Sequence, residues 1–97
     1  MESSKNCRKR VACGEIIEIC LEKMNDSISI KIGGYISDST KEIFNDIVNR
    51  LNLENVEHLK KSLNRVNITY EEYSKRHIYN SIIELIDEAI DSINNRD

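Results

Sequence analysis

Ninety-seven residues with a net charge of −3 make one small domain, and no Pro and only three Gly favour helices over a turn-rich sandwich or barrel. No apolar run reaches the length of a membrane span and no signal-peptide core is present, so a soluble intracellular protein is expected. Charge is uneven: Lys5, Arg8, Lys9 and Arg10 stand against Glu2 at the head, and Glu84, Asp87, Glu88, Asp91 and Asp97 against Arg96 at the tail.

In chain order, a flexible basic segment (residues 1–8) is expected before a helical domain over 9–95. The first helix is expected from Lys9 to Met24. Cys13, Ile16, Ile17, Cys20 and Met24 recur at helical spacing, with Glu15, Glu18, Glu22 and Lys23 on or near the other face. Gly14 weakens such a helix by about 1 kcal/mol relative to Ala, and Asn25, Asp26 and Ser27 end it. The three cysteines are odd in number and lack metal-type spacing. They read as buried apolar thiols in a reducing compartment rather than a disulfide or a ligand set.

Residues 27–34, SISIKIGG, alternate in the manner of a strand and stop at Gly33 and Gly34; no phosphate-loop motif accompanies these glycines. A second helix starts near Ser37, with Ser39–Glu42 as a capping box or Asp38 as the cap. Ile43, Phe44, Ile47, Val48 and Leu51 form its stripe. Val56, Leu59 and Leu63 continue it, rotated by one residue. No Gly or Pro interrupts 37–63, so one long helix is favoured over a break near Asn52. Strand-like VNIT (66–69) follows, and Thr69–Glu72 and Ser81–Glu84 suggest a short helix over 70–79 and a final one over 82–95. Tyr79, Ile82, Ile83, Ile86, Ala89, Ile90 and Ile93 form the last apolar stripe.

This order of elements resembles the histone fold, an all-α arrangement of helix, strand-like loop, long central helix, strand-like loop and short helix, here with an extra C-terminal helix. Histone-fold proteins commonly read K-R-x-T-[IV]-x-x-x-[DE]-[IV] across the second loop. Asn64-Arg65-Val66-Asn67-Ile68-Thr69-Tyr70-Glu71-Glu72-Tyr73 matches at Arg65, Ile68 and Glu72 and departs at Asn64 and Asn67. IFNDIVNRL (43–51) and IIELIDEAIDSI (82–93) are similar to the central and extra helices of one core histone.

The resemblance implies a loop–helix ion pair between Arg65 and Glu72. It also implies a homo- or heterodimer with another histone-fold chain through Phe44, Val48, Val56 and Leu59, in a nuclear or chromatin-associated setting. If DNA is bound, Lys31 and Arg65 are the first candidates, followed by Arg8, Lys9 and Arg10. The rival reading is a small acidic helical-bundle interaction protein, of immunity or antitoxin type, that uses Glu84, Asp87, Glu88 and Asp91. An enzyme is not expected. His58 and His77 are isolated, no nucleophile context is present, and no metal, cofactor or small-molecule substrate is implied.

Overall fold

Positive backbone angles at two neighbouring residues set the course of the chain from its start. Cys13 (φ 53) and Gly14 (φ 77) both adopt the left-handed conformation, as the tightest hairpin turns require. The computed structural model, which describes residues 3–25 and 27–94, accordingly begins with two strands. Strand β1 (Ser3–Ala12) pairs antiparallel with β2 (Glu15–Met24), from Ala12 opposite Glu15 to Ser3 opposite Met24. Asn25 (φ 51) starts a second short connection. Strand β3 (Ser27–Tyr35) then runs back along β2 with Ser27 opposite Met24, which gives a meander ordered β1-β2-β3.

The expected all-α histone fold is therefore incorrect: the first 35 residues contain a three-stranded antiparallel sheet, followed by three helices. The segment EIIEICLEKM satisfies two periods at once. Ile16, Ile17 and Cys20 fit a helical face, whereas Ile17, Ile19 and Leu21 fit one side of a strand. The strand side prevails because Ile17, Ile19 and Leu21 are all fully buried, and neighbouring strands complete their ladders. Residues 3–8, expected as a flexible head, lie within β1.

Helix α1 (Asp38–Val48) and helix α2 (Val56–Arg65) replace the expected rod over 37–63. The break falls at asparagines. The Asn52 N–H donates to Ser62 Oγ (2.9 Å), and Asn52 Oδ1 accepts the Glu54 N–H (3.1 Å). Asn55 is the N-cap of α2, its Oδ1 accepting the His58 N–H at 2.8 Å. Short polar side chains thus supply local partners that a continuing helix would have supplied through its backbone. The chain folds back on itself, so that α1 and α2 both pack against α3 (Tyr73–Asn94). No helix begins at Thr69, and Ser81, expected as a cap, is buried inside an uninterrupted α3.

The core lies between sheet and helices. Ile17, Ile19, Leu21 and Ile28 meet Ile43, Phe44, Ile47, Leu59 and Leu63, with Ile78, Ile82, Leu85, Ile86, Ala89, Ile90 and Ile93 of α3. The stripe on α3 is broad because this helix touches β1 and β2 as well as α1 and α2. Among the described residues, no helix packs over the face of the sheet that carries Ile16, Glu18, Cys20 and Glu22 on β2.

Two neighbouring glycines give opposite expectations. Gly34 has φ 96, and a Cβ there would run into the Ile16 carbonyl oxygen; a Cβ on Gly33 would meet only Glu18 Oε1 at 3.9 Å. Gly34→Ala should cost roughly 1–3 kcal/mol in urea denaturation, and Gly33→Ala markedly less. Equal losses at both positions would contradict the strand geometry.

Candidate interaction surface

The open face of the sheet consists of cross-strand rows. At the Cys13–Gly14 end, Val11, Ile16 and Tyr35 lie side by side; next come Lys9, Glu18 and Gly33; then Cys7, Cys20 and Lys31; then Lys5, Glu22 and Ser29. Val11 is 69% and Tyr35 83% exposed, and Met24 at the far end of the same face is 47% exposed. Among the described residues, three of the four exposed large apolar or aromatic side chains thus share this face, with Tyr73 on α3 the fourth. Isolated surface apolar residues are ordinary, but a contiguous row is a recognition feature.

Cys7 and Cys20 face one another with Cα atoms 4.0 Å apart and are joined by a disulfide; Cys13 is free and exposed. The expectation of three buried thiols is corrected at all three positions. The pairing follows from the register of β1 on β2, which spacing along the chain does not disclose.

The candidate DNA-binding residues do not converge. Lys9 and Lys31 lie on the open face, and Lys9 stands directly opposite Glu18, as Lys5 does opposite Glu22. Arg8 and Arg10 have partners across the other face. Arg8 donates to Ser92 Oγ, and Arg10 bridges Glu84 and Glu88, the latter at 2.9 Å. Arg65 is exposed at the end of α2 and makes no ion pair among the described residues, while Glu72 stands 3.9 Å from Lys75. The Arg65–Glu72 pair therefore does not form; residues 66–72 carry no helix or strand, and α3 starts only at Tyr73.

Phe44, Val56 and Leu59 are buried and Val48 half-buried within this chain's own core, so the expected dimer seam is covered without a partner. The acidic stripe of α3 is also engaged internally. Arg10 from β1 spans Glu84 and Glu88, and Lys60 from α2 reaches Asp91 at 2.7 Å and Asp87 at 3.8 Å. The hydrogen bond that Lys60 donates to Asp91 raises the Lys60 pKa above its usual 10.5 against the opposing effect of burial, and the charges of Asp91 and Asp87 add to the rise.

A cleft of about 310 Å³ opens at the end of the molecule, among Cys13, Glu15, Ser37, Thr40, Glu72 and Lys75. The positive end of α1 there is already occupied by a side chain of this protein. Glu15 Oε1 accepts from the Ser37 N–H and from Thr40 Oγ1, both at 2.7 Å, and Ser37 Oγ caps the helix by accepting the Thr40 N–H at 3.2 Å. Ser37 itself is thus the N-cap in place of Asp38 or Ser39.

His58 Nδ1 lies 2.8 Å from Glu54 Oε2 but out of line for a hydrogen bond, and His77 stacks on Tyr73 at 6.1 Å. Tyr70 and Tyr79 pack on each other at 5.8 Å, and the Tyr79 hydroxyl donates to the Val66 carbonyl at 3.2 Å. Among the described residues no group of three His, Cys, Asp or Glu is placed to hold a metal ion, and no helix is long and apolar enough to cross a membrane. Sequence reasoning missed Val11, Ile16 and Tyr35 as a surface, and no clear sequence signal marks it, since Cys13–Gly14 lacks the Asn or Asp usual in so tight a turn.

Comparison with family models, with curated proteins and with solved structures gives no match.

Burial raises the Glu15 pKa, but the bonds from the Ser37 N–H, Thr40 Oγ1 and Ser37 Oγ outweigh it and hold the carboxyl below its ordinary 4.5. Glu15 therefore contributes stability that is present above pH 4.5 and is lost as pH falls through the lower folded-state value. Glu15→Gln should flatten the acid limb of a stability–pH curve in that window and leave its slope at neutral pH unchanged. An unaltered acid limb would contradict the capping role.

Proposed function

We propose that this chain is a non-catalytic protein-binding module whose docking surface is the open face of the sheet, centred on Tyr35 with Val11 and Ile16 beside it. The carrying observation is the row these residues form, with Val11 and Tyr35 exposed and Ile16 half-buried between them, on a face that no helix covers among the described residues. Large amphipathic side chains at the centre of a patch supply most binding energy, and a mixed polar rim excludes water around them. Lys9 with Glu18 and Lys5 with Glu22 provide such a rim.

The same pairs favour a protein partner over nucleic acid. A phosphate backbone is drawn by unopposed cations, and here two of the three lysines on the face stand opposite glutamates. The partner that fits carries a small apolar cluster bordered by charges of both signs. The acidic stripe of α3 is less suited to this role, since each of its four carboxylates already pairs with Arg10 or Lys60.

The tagged chain should recover a stoichiometric protein partner from extract of the cells that produce it. Tyr35→Lys combined with Val11→Lys should abolish recovery, by about 30-fold or more if the row is a hot spot. Glu42→Lys, exposed on α1 away from this row, should retain it. A partner that survives the double change, or nucleic acid recovered in place of protein, contradicts the reading.

A further inference from the structure

Both outer strands of the sheet have an open edge, but they are not equally guarded. In a two-residue hairpin the residues flanking the turn form a hydrogen-bonded pair, and such pairs alternate along the ladder. Met24 and Ser27 flank the second connection, so Ser29, Lys31 and Gly33 direct their backbone groups at β2. The N–H and C=O groups of Ile28, Ile30 and Ile32 then point away from the sheet. Among the described residues no hydrogen bond outside the β2 ladder reaches them. The 4.0 Å Cα separation of Cys7 and Cys20 fits the same alternation, being that of a non-hydrogen-bonded pair.

Edge strands avoid unwanted pairing through charge, proline, bulges or cover. Strand β1 carries Lys5, Arg8, Lys9 and Arg10, and antiparallel pairing of two such strands about Cys7, Arg8 or Lys9 sets cation opposite cation. Strand β3 carries one charge, Lys31, with no proline. We propose that two copies of this chain pair through their β3 edges as a two-fold symmetric dimer. The result is one sheet of six strands with a cationic β1 at each outer edge.

Charge and side-chain size also select the register. A seam centred on Lys31 sets Lys31 opposite its copy, which is unfavourable. A seam centred on Ile32 sets Ile30 opposite Gly34, which has no side chain to pack. A seam centred on Ile30 pairs Ile30 with its copy and Ile28 with Ile32 on the core side, and sets Ser29 opposite Lys31 on the open side. Ile30 and Ile32 are only half-buried in the single chain and gain cover from this seam. The pairing is isologous and closes at two copies. It is independent of the partner proposed for the open face and leaves that face accessible, so loss of one interaction leaves the other measurable.

Sedimentation equilibrium of the full chain tests this. A dimer is expected to predominate once the concentration reaches about 100 μM. Ser29→Lys, exposed and facing Glu22 within the chain, places lysines opposite Lys31 in both halves of the seam and should weaken dimerisation roughly tenfold. Adding Lys31→Glu to Ser29→Lys should restore it, because each cross-seam pair then has opposite charges. Circular dichroism confirms that each variant is folded. A monomer at that concentration, a dimer indifferent to Ser29→Lys, or no recovery in the double variant overturns the proposal.

Discussion

The fold depends on one contact: the broad apolar stripe of α3 laid across the inner face of the sheet, with Ile17, Ile19 and Leu21 beneath it. A hairpin of two strands is marginal alone in water, and a third strand or a packed helix is what makes such a sheet stable. Here the meander supplies the third strand and α3 supplies the packing. Ionic contacts frame that junction. On the β1 side Arg10 reaches Glu84 and Glu88, and on the α2 side Lys60 reaches Asp87 and Asp91, so α3 is held between a strand and a helix by cations on both flanks. These pairs are largely solvent-exposed and individually contribute little.

Once α3 covers one side of the sheet, the remaining architecture follows. Its far side must be covered by something else, and a straight rod over 37–63 could not cover it. The asparagines at 52 and 55 let the chain turn back, so that α1 and α2 lie on α3 as two short helices. With both sides of α3 occupied, no helix is left for the outer face of the sheet. That leaves Val11 and Tyr35, with the half-buried Ile16 between them, as the surface open to another molecule.

Parts of this fold were legible in the residues. Ile28, Ile30 and Ile32 alternate without competing helical spacing, and they form β3. The stripe from Ile82 to Ile93 has one period only, and it is helical. The first hairpin was not legible, because Ile16, Ile17, Ile19, Cys20 and Leu21 populate both periods and the choice between them rests on strands elsewhere in the chain. Cys13–Gly14 lacks the Asn or Asp that usually marks such a turn, so Gly14 resembled a flaw in a helix. The break after Val48 was hidden for a related reason: it is made by side-chain acceptors on Asn52 and Asn55, with neither Gly nor Pro. The histone resemblance rested on the order of elements and on Arg65, Ile68 and Glu72, and it fails because the first of those elements is a hairpin. The docking surface was illegible for the same reason, since its rows exist only once three strands are in register.

Everything therefore rests on residues 3–24 being two paired strands. Nuclear Overhauser spectroscopy of the labelled chain addresses this directly. The paired strands predict a strong Hα–Hα cross-peak between Cys7 and Cys20, a non-hydrogen-bonded pair with close Cα atoms. A continuous series of Hα–Hβ cross-peaks between residues three apart from Lys9 to Met24, with no Cys7–Cys20 cross-peak, would mark a helix there and contradict the account.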